Sequence, residues 1–227
     1  MKATAKAPSN IAFVKYWGRK DEELRLPENG SISMNLSNLQ TTTTVEFGDF
    51  EKDEVNFNGK IEDLENNRAI KHIDRIREFA TNLPSKVKIV TENNFPTGTG
   101  LSSSASGFAA LTLAGASAAG LKLSEKELSI LARQGSGSAC RSIPNGFVEW
   151  LDGDTNESSY AVSVFPPEHF DIADIVAVVS TEKKFLATSE GQKSARTSPF
   201  FEKRLSLIGD KIERVKKAIE EKNFSKF

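Results

Sequence analysis

The chain has 227 residues, with 30 Lys and Arg against 31 Asp and Glu, so its formal net charge is −1. That balance offers no broad field to attract nucleic acid or an anionic membrane, and any anion site must be local. With 38% hydrophobic residues the chain can bury a core, and its single cysteine, Cys140, excludes an intrachain disulfide.

Residues 2–14 begin polar and end in Ile11-Ala12-Phe13-Val14, which reads as a strand followed by a charged, turn-rich loop. Residues 31–36 alternate and 40–47 are β-branched, which predicts two more strands. Asn58-Gly59 marks a hairpin turn. Between residues 66 and 83, Ala69, Ile70, Ile73, Ile76 and Ala80 recur at helical spacing, and residues 86–92 alternate again. A turn-rich loop over 93–100 precedes a helix of small residues over 101–120. Ser124 and Glu127 have capping-box spacing at the start of a helix over 125–134, and a Gly/Ser loop over 135–142 follows it. Strands are predicted over 147–151, 159–165 and 172–180, then a polar segment over 181–198 and a charged amphipathic helix or helix pair over 199–227. The mixture predicts an α+β protein. No apolar run approaches the roughly 18 residues that span a bilayer, and residues 1–18 lack a signal-peptide apolar region. A cytoplasmic protein with no membrane and no nucleic-acid partner is expected.

The strongest chemical signal is residues 93–107. Gly98 and Gly100 permit positive φ and close approach of a ligand. Ser102, Ser103 and Ser104 then open a helix, whose free N–H groups and dipole favour an anion such as phosphate. Serine hydroxyls there can add hydrogen bonds or a magnesium ligand. No Gly-Lys-Ser/Thr follows, so this is not a Walker A loop, and the third Gly of a dinucleotide fingerprint is missing. A tight turn with a Ser-capped helix packed closely on a sheet accounts for the same residues equally well.

Two other segments carry anion-type chemistry. Lys15, Arg19 and Lys20 cluster around Tyr16 and Trp17, suited either to a phosphate or carboxylate or to a solvated loop beside Asp21, Glu22 and Glu23. Ser136, Ser138 and Arg141 lie in a Gly-broken stretch that could present hydroxyls, N–H groups and a guanidinium to one anion, or be a flexible turn with a surface Arg. His72 falls on a helix and reads as a surface or packing residue rather than a base, and Cys140 reads as small packing.

Residues 96–105, Pro-Thr-Gly-Thr-Gly-Leu-Ser-Ser-Ser-Ala, resemble the nucleotide loop of the GHMP kinase superfamily, P-x-x-x-G-L-x-S-S-A. Residues 7–36, with Asn10-Ile11-Ala12 and Lys15-Tyr16-Trp17-Gly18, and residues 133–150, with Gly135-Ser136-Gly137-Ser138-Ala139-Cys140-Arg141-Ser142, resemble the diphosphomevalonate decarboxylases within it. The resemblance runs, with gaps, from residue 3 to the end.

That resemblance implies a GHMP-kinase-like fold. Residues 1–170 would form a ribosomal-protein-type N-terminal domain, and residues 171–227 the start of an incomplete, ferredoxin-like α+β C-terminal domain. It implies that Pro96, Gly98, Gly100, Leu101, Ser102, Ser103 and Ser104 wrap the phosphates of ATP. Ser103 would stand near the γ-phosphate and Mg2+. It implies that Tyr16, Trp17, Gly18, Arg19, Ser136, Gly137, Ser138, Ala139, Cys140 and Arg141 hold 5-diphosphomevalonate, with Arg68 and the hydroxyls of Thr188 and Ser189 assisting. Arg141, Ser103 and Lys15 would carry the chemistry. The implied reaction phosphorylates the C3 hydroxyl, then loses phosphate and CO2 to give isopentenyl diphosphate, in a homodimer by family analogy. Phosphomevalonate decarboxylase, mevalonate 3-kinase and a non-catalytic ligand-binding remnant are the competing readings.

The sequence departs from the family pattern in three places. Arg19 stands where the family has Lys, and Ala187 lacks the first hydroxyl of the pair before Gly191. The family continues into a further segment whose Asp precedes a Gly-Pro-Asn turn, and the chain stops at Phe227 before reaching it. Poor folding of the second half and little decarboxylation are expected unless another polypeptide supplies that segment.

Overall fold

The computed structural model describes residues 1–177 and 188–227. Its centre is a long pair of antiparallel strands, β1 (Lys2–Val14) and β4 (Ser31–Gly48). The two strands expected over 31–36 and 40–47 are one. β1 runs beside its whole length, and the register slips from Pro8↔Gln40 to Ser9↔Leu36, so residues 37–39 bulge out of the ladder. The Gln40 side chain donates to the Ser37 carbonyl across that bulge, at 2.9 Å.

β2 (Arg19–Asp21) and β3 (Leu26–Pro27) form a small separate ribbon between β1 and β4. β5 (Glu54–Phe57), β6 (Lys60–Ile61), β7 (Lys86–Asn93), β8 (Phe147–Trp150) and β9 (Ala161–Phe165) complete the main sheet, in the order β6-β5-β7-β4-β8-β9. β5 and β7 are parallel and the other pairs antiparallel. Asn58 and Gly59 both take positive φ between β5 and β6, as their hairpin signal requires.

Period-two alternation along β4 divides the molecule into layers. Odd residues face α1 (Arg68–Arg77), α2 (Ser103–Ala118) and α3 (Glu125–Gly135). Val45 and Phe47 pack with Ile73, Ile76, Leu111 and Leu131, and Thr41 bonds Ser106 of α2. Even residues Ile32 and Met34 join Val14 and Phe147 under Ile208, Ile212 and Ile219 of α5 (Phe201–Glu220). The capping box at Ser124 and Glu127 is formed.

The small residues of α2 have two distinct causes. A Cβ on Gly115 would stand 2.6 Å from Ile76 Cδ1, so close packing on α1 demands glycine there. Gly107 has nothing within 4 Å of its virtual Cβ and faces open space.

Besides the merged strand, one expectation changes and two open alternatives are decided. Residues 135–142 are not a flexible turn: Gly137–Ser142 form a buried 3-10 helix. Residues 172–177 of the strand expected over 172–180 have no regular structure, and 178–187, including Ala187, lie outside the described residues. His72 is fully buried and bonded to Thr112 at 2.8 Å, the packing alternative rather than the surface one. Among the described residues no helix is long and apolar enough to cross a membrane.

Candidate active site

The expected phosphate loop turns sharply, with φ of 77° at Gly98 and 102° at Gly100, and enters α2 through Ser102 at φ 56°. Ser102 makes no side-chain cap to α2, so the Ser-capped alternative is not what the fold adopts. The loop is held from β1 instead, where Ser9 Oγ donates to the Leu101 carbonyl at 2.5 Å. The Ala105 N–H bonds the Ser102 carbonyl at 2.8 Å, which leaves the Ser103 and Ser104 N–H groups at the start of α2 for a ligand, where the helix dipole favours negative charge. Beside it lies a cavity of about 380 Å3, walled by Phe57, Ile89, Arg68, Gly107 and Phe108, with Ser103 and Ser104 at its edge. Its size suits a small organic molecule.

A second cavity of about 130 Å3 borders the same loop, lined by Ala12 and Trp17 and by the polar residues Asn10, Lys15, Tyr16, Ser102, Ser138, Arg141, Thr188 and Gln192. Ser102 lines this space and Ser103 and Ser104 line the first, so the serine loop borders both. Arg141 dominates the smaller one. It is only 3% exposed, and its guanidinium donates to Ser31 Oγ at 2.6 Å, Ser33 Oγ at 3.1 Å and Asn10 Oδ1 at 3.2 Å. All three acceptors are neutral. A buried cation without a carboxylate is costly, and burial pulls its pKa down. Lys15 is pulled down too, by burial first and then by Arg141, with Asp174 opposing. The buried Arg141 and the more exposed Lys15 both point positive charge at this cavity, a setting that favours an anion.

The loop carrying Lys15 to Arg19 is clamped into place. Gln192, 3% exposed on α4 (Thr188–Ser194), accepts from the Gly18 N–H at 2.8 Å and donates to the Tyr16 carbonyl at 3.3 Å. Arg204 of α5 donates to the Lys15 carbonyl at 2.5 Å and to Asn29 Oδ1 at 2.9 Å. A Cβ on Gly137 would lie 2.6 Å from the Tyr16 hydroxyl, so glycine lets the phenol approach the 3-10 helix. Tyr16 packs edge-on against Trp150 with ring centroids 4.7 Å apart. Trp150 Nε1 donates to Ser159 Oγ, and Arg133 donates to the Ser159, Asn156 and Leu24 carbonyls, tying α3 to both loops.

The expected residues divide between the spaces. Tyr16, Trp17, Ser138, Arg141 and Thr188 come together with Lys15. Arg68 lines the larger cavity instead, with its guanidinium over the Phe108 ring at 4.7 Å. Arg19 is paired with Glu22 at 2.6 Å and lines neither. Cys140 and Ala139 are core, and burial pushes the Cys140 thiol up to about 12. The Ser189 side chain lies outside the described residues. Asn10, Ser31, Ser33 and Gln192 were not singled out from sequence. Asn10 could have been, as a polar residue in an apolar strand, and so could the odd-numbered hydroxyls of β4.

Residues 7–161 match the family model described as the diphosphomevalonate decarboxylase-like N-terminal domain, and residues 174–227 that of the mevalonate 5-diphosphate decarboxylase C-terminal domain. The diphosphomevalonate decarboxylase of Candida albicans is 42% identical over 243 residues, 99% of this chain and 67% of that protein. The human enzyme is 39% identical over 245 residues, covering 99% of this chain and 60% of that one. The crystal structure of mevalonate diphosphate decarboxylase from Staphylococcus aureus superposes with a TM-score of 0.85 at 36% identity, over 100% of this chain and 70% of that one. A related structure, 34% identical with a TM-score of 0.84 over 100% of this chain and 70% of that one, holds MVAPP, AMPPCP and magnesium. The chain thus spans between 60% and 67% of the length of these two curated relatives.

Proposed function

Because this chain belongs to the diphosphomevalonate decarboxylase family, we propose that it binds ATP and 5-diphosphomevalonate side by side and serves their conversion to isopentenyl diphosphate, ADP, phosphate and CO2. The observation that carries the reading is Arg141, buried among neutral hydroxyls and an amide in a cavity that Ser102 of the serine loop also lines.

The 380 Å3 cavity takes the nucleoside, and its triphosphate runs over Gly98 to Ser104 onto the start of α2. Arg141 and Lys15 hold the acid's carboxylate, with the Asn10 and Ser138 groups orienting the C3 hydroxyl toward the loop. The C3 oxygen attacks the γ-phosphorus and ADP leaves. The C3–O bond then breaks with its electron pair, and phosphate departs. The C1–C2 bond supplies the electrons of the new C2–C3 double bond as CO2 leaves. Charge developing during these steps is met by groups already fixed in place. Among the described residues no three His, Cys, Asp or Glu cluster to hold a metal. The donor set therefore fits magnesium carried on the phosphates and touched by Ser103, where it would neutralise γ-phosphate charge. Among the described residues no carboxylate lines the smaller cavity, and the C3 hydroxyl proton passes to an oxygen of the transferred phosphoryl group.

Residues 1–170 and 171–227 are proposed as two domains, and a homodimeric, cytoplasmic protein goes with the same reading. The test is ADP and CO2 release with ATP, magnesium and each of 5-diphosphomevalonate, 5-phosphomevalonate and mevalonate. Coupled release with the diphosphate alone supports the proposal. ADP without CO2 makes the protein a kinase, and CO2 from the monophosphate moves the substrate assignment.

A further inference from the structure

Asn29 lines neither of the two cavities, and its amide is nevertheless fully used. It is 3% exposed and lies between β3 and β4. Its Nδ2 donates to the Lys15 carbonyl at 3.2 Å and to the Gly30 carbonyl at 2.5 Å. Its Oδ1 accepts from Arg204 Nη1 at 2.9 Å and from the Trp17 N–H at 3.4 Å. Two donations and two acceptances fill every hydrogen-bonding position an amide has. Arg204 Nη2 also donates to the Lys15 carbonyl, at 2.5 Å, so Asn29, Arg204 and Lys15 close a ring of hydrogen bonds in which that carbonyl takes two donors.

The same turn holds the second cation of the smaller cavity. Two residues after Asn29, the Ser31 hydroxyl accepts from Arg141 at 2.6 Å. A Cβ on Gly30, between them, would stand 3.0 Å from the Trp150 carbonyl oxygen and 3.3 Å from Ile212 Cδ1, so the turn lies close against β8 and α5. Asn29 therefore fixes the main chain from which Lys15 projects, Ser31 fixes the Arg141 guanidinium, and one short, seated stretch of backbone sets the distance between them. The Lys15 side chain itself is exposed at the cavity. A long ammonium stem loses much rotamer freedom when it is ordered on a ligand. A fixed root leaves less freedom to lose and aims the ammonium at the place Arg141 already faces.

We infer that Asn29, locked by Arg204 of α5, is a positioning residue that sets the spacing of Lys15 and Arg141 and so shapes the seat for the substrate's carboxylate. The inference rests on the carboxylate seat of the preceding subsection, a reading in which Asn29 and Arg204 have no role. Neither residue touches the ligand, so both act through Lys15. An asparagine kept for the fold alone would instead affect stability and both ligands alike.

The test is thermal melting and calorimetric titration with 5-diphosphomevalonate and with ATP, for wild type, N29D, K15M and the double variant. N29D keeps the acceptor for Arg204 and Trp17, and a new ion pair with Arg204 offsets the two lost donations. The oxygen that replaces Nδ2 faces the Lys15 carbonyl and displaces it. N29D should melt within about 4 °C of wild type, bind 5-diphosphomevalonate about tenfold more weakly, and hold ATP within about twofold. K15M should lose about tenfold as well, and adding N29D to K15M should cost less than about twofold more, because the group Asn29 acts through has gone. R204M should behave as N29D does, and R204K, which keeps a donor for the Lys15 carbonyl, should recover most of the loss. Should N29D fail to fold, R204M in the K15M background carries the same comparison. Unchanged affinity of N29D and R204M for 5-diphosphomevalonate overturns the inference and leaves the substrate reading intact. Losses that multiply in the double variant overturn it too, since Asn29 then acts elsewhere than on Lys15. A parallel loss of both ligands with a lowered melting temperature makes Asn29 a folding residue and also overturns it. If K15M binds 5-diphosphomevalonate as wild type does, or wild type does not bind it, the carboxylate seat is wrong and the inference falls with it.

Discussion

Replacing Arg141 with methionine separates the needs of the fold from those of the ligand. The side chain makes three hydrogen bonds, to Ser31, Ser33 and Asn10. Hydrogen bonds from a charged donor contribute about 1.5–3 kcal/mol each, so the group gains roughly 4–9 kcal/mol from them. Against this stands the desolvation of a buried guanidinium, which still costs several kcal/mol after relaxation. Methionine removes both, and the Ser33 hydroxyl retains an acceptor in the Val148 carbonyl at 3.5 Å. The two sides nearly cancel, so R141M should change the stability of the free protein by less than about 2 kcal/mol. In a chain of this size that shifts Tm by under about 8 °C. Binding should respond very differently. A carboxylate loses a charge-assisted, forked contact in a water-poor cavity, and affinity for 5-diphosphomevalonate should fall about 100-fold. The assay is thermal melting with and without 5-diphosphomevalonate: wild type gains stability with ligand, and R141M melts near wild type but gains none. A free R141M that is unfolded, or that is stabilised by ligand as well as wild type, refutes the claim that Arg141 is kept for an anion.

Two further predictions concern single positions. Gly137→Ala would put a methyl 2.6 Å from the Tyr16 hydroxyl and 3.2 Å from the Trp150 ring, displacing the phenol. It should cost about 1–3 kcal/mol of stability and weaken substrate binding while leaving nucleotide affinity unchanged, read by parallel titrations. Burial, and then the cations Arg75, Arg25 and Arg68, hold His72 down at about 3 against an ordinary value of 6.5. The folded protein keeps it neutral while the unfolded chain protonates it, so stability is fully present above pH 6.5 and falls as the pH drops toward 3. Wild type should lose about 1.4 kcal/mol per pH unit more than H72Q in that window, measured by urea unfolding; identical slopes would show that His72 is not buried neutral.

Local chemistry was legible wherever the cause lay within a few residues. The Asn58-Gly59 turn, the Ser124–Glu127 capping box and the glycines before α2 all formed as their side chains require. Where the cause lay far away in the chain, sequence was silent or misleading. Residue types alone left Gly135 to Ser142 open to a mobile turn, yet the segment is rigid because Tyr16 closes on Gly137 and Arg141 reaches serines more than 100 residues earlier. The join between the two halves of β4 was hidden because the bulge at residues 37–39 interrupts its alternation, whereas β1 spans it. Gln192 gave no signal at all: an amide in a polar segment acquires meaning only when the Gly18 N–H and the Tyr16 carbonyl are brought to it. Resemblance supplied the division into nucleotide and substrate segments, and the structure divides those residues further, placing Arg68 with the larger cavity.

The most direct measurement is a crystal structure of this chain with 5-diphosphomevalonate and a non-hydrolysable ATP analogue. The carboxylate should lie on Arg141 at about 2.8 Å and the triphosphate on the first turn of α2. A carboxylate bound away from Arg141, or a nucleotide outside the cavity flanked by Ser103 and Phe108, would contradict the proposed function.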